Sequence, residues 1–129
     1  MKKIIYLALI FFCFSCYQPE RNCQDYKTGT FRFDYEVKGI MKTGRFERSE
    51  KFSVDYFEGK IDSSSVRWIN NCEFILKKIN PKTNSEKDAI HFKILTTTDS
   101  SYTFEYKLAV KKLNAVNRIE KGTAYIIND

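Results

Sequence analysis

Of the residues in this 129-residue chain that could do chemistry, the histidine is the quickest to place, because there is only one, His91. Any Ser-His-Asp triad would have to use it, yet no serine stands in a Gly-x-Ser-x-Gly turn, and His91 falls on the polar side of an alternating segment beside Lys93. A solvent-exposed residue is the expected reading. Asp62 and Asp99 each open a run of serines, the pattern of aspartates that cap turns by bonding their own backbone. Any two acids could meet as the carboxylate pair of a glycosidase, but no spacing favours a particular pair. Phosphate-cradling glycine loops and calcium-binding acidic loops are absent. An enzyme is therefore not expected, and neither a cofactor nor a metal is called for. Trp68, the single tryptophan, sits in Arg67-Trp68-Ile69-Asn70-Asn71-Cys72. It reads as a core aromatic, with a ligand-stacking platform as the sharper alternative.

The four cysteines, Cys13, Cys16, Cys23 and Cys72, lead from chemistry to compartment. Lys2 and Lys3 precede an uncharged apolar run, Ile4 to Phe14, of the length of an export-signal core and well short of the roughly 20 residues that span a bilayer. Lipoprotein processing needs a small residue before the modified cysteine. Ser15 meets that need for Cys16, and Phe12 fails it for Cys13. The match departs from a lipobox at the position usually held by Leu, which here is Cys13. The expectation is a signal peptide over 1–15, lipidation of Cys16, and a short tether over 16–27. Two or more acyl chains anchor stably, so the mature chain would act at a membrane without spanning it. Cys23 and Cys72 then remain, and two thiols left over in an oxidising compartment read as a disulfide. With one histidine and no Cys-x-x-Cys pair, a zinc site is not expected.

Those residues need elements to hold them. After the signal, about 114 residues remain, enough for one domain over 28–129. Loss of Lys2 and Lys3 lowers the formal charge from +6 to +4, and acids are interleaved with bases, as in Arg45-Phe46-Glu47-Arg48. A solvated mixed surface follows, without a basic run that would suit nucleic acid. Apolar residues alternate with polar ones at Phe31/Phe33/Tyr35/Val37, Phe52/Val54/Tyr56, Val66/Trp68, Phe74/Leu76, Ile90/Phe92/Ile94 and Tyr102/Phe104/Tyr106/Leu108/Val110, with a last strand over Thr123 to Ile127. Turn chemistry falls at Lys42-Thr43-Gly44, Glu58-Gly59-Lys60, Asp62-Ser63-Ser64-Ser65, Asn70-Asn71, Asn80 to Ser85 and Asp99-Ser100-Ser101. About eight antiparallel strands in a meander, each with one apolar face, require a shared interior: a small lipocalin-like barrel or a two-layer sandwich.

Cys16-Tyr17-Gln18-Pro19-Glu20-Arg21-Asn22-Cys23, Lys27-Thr28-Gly29-Thr30-Phe31, Ser65 to Cys72 and Thr97 to Tyr106 resemble a family of small lipoproteins from Bacteroidota, mainly flavobacteria. Members often carry the automatic label DNA topoisomerase IV. The resemblance implies an envelope lipoprotein of unestablished activity, and the label does not suit this chain. A type II topoisomerase needs a winged-helix domain, a catalytic tyrosine beside an arginine, metal-binding acids and several hundred residues.

The expected partners are membrane lipid, through Cys16, and either an envelope protein or a small apolar ligand, with no nucleic acid. The expected place is the cell envelope, at the outer membrane facing the periplasm. A structural or protein-interaction role is the first functional reading, and a lipocalin-like binding module is the second. A filled interior with an exposed apolar patch would favour the first. An enclosed cavity of about 300 Å³ or more would favour the second.

Overall fold

A computed structural model of the chain describes residues 21–113 and 116–128. The expected signal peptide, Cys16 and residues 17–20 of the expected tether lie outside the described residues. The strands are β1 (Gly29–Val37), β2 (Ile40–Arg48), β3 (Phe52–Phe57), β4 (Lys60–Trp68), β5 (Glu73–Lys78), β6 (Ile90–Thr97), β7 (Ser101–Leu108) and β8 (Glu120–Ile126). They run in sequence order as an antiparallel meander that closes into a barrel, so the barrel is the alternative that holds and the two-layer sandwich does not. Full closure leaves no continuous sheet edge in water.

Two hairpins turn on residues with positive φ, as two-residue loops between right-twisted strands require. Lys38-Gly39 joins β1 to β2 at φ of 51° and 79°, and Glu58-Gly59 joins β3 to β4 at 51° and 73°. The turn expected at Lys42-Thr43-Gly44 is strand instead. Gly44 lies within β2 because the Phe33 ring occupies the space a side chain would need: a Cβ there would stand 2.3 Å from Phe33 Cζ. Gly122 plays the same part in β8 under Phe104, at 2.8 Å. Asp62 to Ser65, expected as a turn, is the middle of β4.

Register explains a second departure. Phe46 and Arg48 of β2 face the interior and stand opposite Asp55 and Ser53 of β3. Residues directly opposite share a face, so Ser53 and Asp55 point inward, and Phe52, Val54 and Tyr56 point outward. Ser53 is buried and Phe52 is 51% exposed, the reverse of the expected apolar-in arrangement for this strand. Tyr56 is used on the outside, where the Arg45 guanidinium lies 4.7 Å from its ring centre. Asp62 and Ser64 of β4 stand opposite Asp55 and Ser53, so a polar stripe runs up this part of the inner wall.

The ends of the barrel differ. At one, a 3-10 turn (Cys23–Tyr26) packs under the strands, and Cys23, Tyr26, Phe31, Ile94, Tyr102 and Ala124 form the buried core. Each large side chain taken inside contributes roughly 1.5–3 kcal/mol, so stability is concentrated here. Asn22 N donates to Thr97 Oγ1 at 2.8 Å, and Arg21 donates to the Ile94 carbonyl at 2.8 Å. The other end carries the hairpin tips and the two long loops that follow β5 and β7. The β1–β8 seam is thin: Phe31 and Arg32 pair with Ile126 and Tyr125, and Ile127 N reaches Thr30 O at 2.9 Å.

Candidate functional site

Cys23 and Cys72 are joined, with their sulfurs 2.10 Å and their Cα atoms 5.2 Å apart. The bridge ties the 3-10 turn to the connection between β4 and β5 at the closed end. Trp68 packs on this cluster, 4.6 Å from Phe74 between ring centres, with Lys27 Nζ 5.1 Å above its face. It does not line the cavity described below.

Above the core lies a residue that sequence patterning did not single out. Arg48 is 5% exposed and forms the floor of the interior. Its Nε donates to the Lys27 carbonyl at 3.1 Å, one terminal nitrogen to the Tyr102 hydroxyl at 3.0 Å, and the other to the Tyr26 carbonyl. Phe31, Phe46, Trp68, Phe74 and Tyr102 surround it with ring centres 4.7–5.6 Å away. No carboxylate pairs with it among the described residues. A buried guanidinium is tolerated because carbonyl dipoles, a hydroxyl and aromatic faces replace its water. Burial pushes the Tyr102 phenol up, with Arg48 acting against that rise.

The interior above Arg48 is not filled. A cavity of about 200 Å³ is walled by Phe33, Phe46, Phe74, Phe92, Phe104 and Tyr106, with Asp55, Ser53 and Leu76 completing it. It shares Asp55, Leu76 and Phe92 with a space of about 290 Å³ under the loop after β5, which Lys78, Glu86 and Asp88 also line. On the other side it shares Phe33 and Asp55 with a space of about 260 Å³ beneath the β1–β2 and β3–β4 hairpins. Asp55 is thus common to all three compartments. Its fixed side-chain partner is the Ser53 hydroxyl, which donates at 3.4 Å. Burial pushes the Asp55 carboxyl up from 3.8 to about 6, with Asp62 adding like-charge repulsion and Ser53, Lys78 and Arg48 pulling the other way. Near neutral pH it is an ionised acceptor in a largely aromatic box, and slightly below that it becomes a donor.

No family model, curated protein or solved structure matches this chain. The site must be read from its own geometry.

At the mouth, Lys78 bridges Asp62 at 3.6 Å and Glu86 at 2.9 Å. The Lys78 hydrogen bond, with backbone N–H groups of Lys82 and Thr83, holds Glu86 down to about 2. The Lys78–Glu86 pair fixes the long loop after β5 against the barrel wall. His91, expected in solvent, is instead 17% exposed on the outer face, with its Nε2 3.1 Å from Glu73 Oε1. Neither it nor Asp99 reaches the cavity. Asp62, read as a turn cap, joins the inner polar stripe.

Asp55 could have been found in the sequence by counting outward from the Glu58-Gly59 turn. That count places Asp55 opposite Asp62 and Ser53 opposite Ser64, a matched polar face on two adjacent strands.

Proposed function

We propose that this protein is an envelope-anchored binding module that holds a small, mainly apolar ligand inside its barrel, with a polar group of the ligand meeting Asp55. The observation that carries the reading is the open interior itself. Eight strands rich in large side chains could have filled it, yet a cavity of about 200 Å³ remains above Arg48, and spaces of about 290 Å³ and 260 Å³ toward the mouth share Asp55 with it. Aromatic walls with a few convergent polar groups are the usual chemistry of such pockets. Attachment through Cys16 would keep the module at a membrane, where apolar ligands concentrate.

The test is titration of the full chain with phenylnaphthylamine, a neutral fluorophore that brightens in apolar surroundings. Saturable binding is expected, and Leu76→Trp, which thickens the shared wall of two compartments, should abolish it while the far-ultraviolet spectrum stays that of a β-barrel. Binding that is absent in the parent protein, or unchanged in the variant, would argue against an interior site.

A further inference from the structure

We propose that the open rim of the barrel is a docking surface for an anionic lipid bilayer. Exposed apolar side chains gather at this end. Ile40, Met41 and Ile61 stand at or beside the two hairpin tips, each more than 60% exposed. Val110, Leu113, Val116 and Ile119 project from the loop between β7 and β8, and Leu113 is 96% exposed. The loops at this end are held to one another: Ala109 N donates to the Ala89 carbonyl at 2.9 Å, and Lys112 pairs with Asp88 at 2.7 Å.

Charge is gathered at the same end. Segments 36–42, 57–62, 77–88, 107–113 and 116–121 contain twelve Lys and Arg against six Asp and Glu, whereas the remaining described residues contain eight of each. Lys38, Lys60, Lys111, Arg118 and Lys121 have no carboxylate partner among the described residues. The even interleaving along the sequence thus resolves, in three dimensions, into one cationic end and a balanced body.

The form of this surface selects its occupant. A rigid protein partner is best met by a contiguous, close-packed patch. Here the apolar groups stand on separate protrusions with cations between them. Such fingers can each enter the acyl boundary of a bilayer while lysines remain at the headgroups, and each basic residue near an anionic surface strengthens partition. The chain enters the barrel at the opposite end, beside Thr97 and Ile94. An anchor on Cys16, which belongs to the functional reading above, would therefore attach at the end of the barrel opposite the rim. Docking there would place the cavity mouth against the source of an apolar ligand.

The experiment uses the full chain carrying Leu113→Trp, with the parent spectrum subtracted to remove Trp68, mixed with vesicles of phosphatidylcholine alone or with phosphatidylglycerol added. The introduced indole reports the rim itself, whatever the amino end does in either vesicle. A blue-shifted emission, quenched by brominated lipid and confined to anionic vesicles, is expected. Lys111→Glu with Arg118→Glu in the same protein should weaken partition at least about twentyfold, taking about fivefold per basic residue removed. An emission unchanged by anionic vesicles overturns the proposal, as does a shift of equal size on neutral ones. A shift that appears without vesicles as protein concentration rises would assign the rim to a second copy and overturn it as well. The phenylnaphthylamine titration is independent of these outcomes, so failure of the cavity and failure of the rim are distinguishable.

Discussion

Replacing Asp55 by Asn should make the protein more stable at neutral pH, although it removes a charged residue that accepts a hydrogen bond. The carboxyl is carried from 3.8 to about 6 by burial among Phe33, Phe46, Leu76 and Phe92. Between those values the folded protein retains a proton that the unfolded chain has released, so stability falls as pH rises through this window. Below about pH 4 both states hold the proton, and above about pH 7 the folded state carries the full desolvation cost. A displacement of this size corresponds to about 3 kcal/mol. An asparagine does not titrate, so it escapes that cost. Urea unfolding of both proteins, followed through Trp68 with the disulfide intact, should give curves with a nearly constant offset below pH 4. The gap should then widen by about 3 kcal/mol in favour of Asp55→Asn by pH 7.5, equivalent to roughly 12 °C or more in Tm. Glu73 and Glu86, held down by hydrogen bonds from Asn70 and Lys78, make stability fall at low pH in both proteins and cancel in the difference. Parallel curves from pH 4 to 7.5 would refute the assignment of Asp55 to a desolvated interior.

Cys23→Ser should lower stability by about 4 kcal/mol under oxidising conditions, the chain-entropy figure for a loop closed over a separation of 49 residues; in reductant the variant and parent should unfold together. Arg48→Met leaves the Tyr26 and Lys27 carbonyls and the Tyr102 hydroxyl without their donor. It should cost about 3 kcal/mol in chemical unfolding, and Arg48→Lys should recover little, since one ammonium cannot serve the same fork. Gly44→Ala should lower Tm by forcing the Phe33 ring aside, at about 1–3 kcal/mol, and Phe33→Leu in the same chain should restore part of the loss. Cys16→Ser should move the protein from the membrane fraction to the soluble fraction on cell fractionation; unchanged partition would remove the lipid anchor from the functional reading.

The barrel was legible because β1, β5, β6 and β7 obey a simple rule, apolar inward and charged outward, and because Asn, Gly and Ser punctuate the chain between them. The site was not, and the reason lies in β3. Alternation states that a strand has two faces without stating which one the interior receives. Phe52, Val54 and Tyr56 made the apolar face the natural choice, yet Phe46 and Arg48 across the ladder set the opposite one. Arg48 was hidden for a related cause: it ends a run of mixed charge, and its burial depends on Tyr26, Lys27 and Tyr102, which are distant in sequence. Gly44 and Gly122 resemble turn residues until the rings of Phe33 and Phe104 are seen lying over them.

The narrow β1–β8 seam bears on how the barrel comes to exist. Every other strand pair joins neighbours in sequence, so seven hairpin-like contacts can form from short loops. Joining Phe31 to Ile126 instead brings together the two ends of the domain, and the entropy of that closure must be met before its few hydrogen bonds form. Barrel closure should therefore be the late, slow event of folding. Because so few hydrogen bonds hold the seam, amides along it should exchange with solvent by partial opening, well ahead of those in β6 and β7. A Cys23–Cys72 bridge formed early would fasten the segment before β1 to the opposite wall, shortening the search that β1 must make for β8.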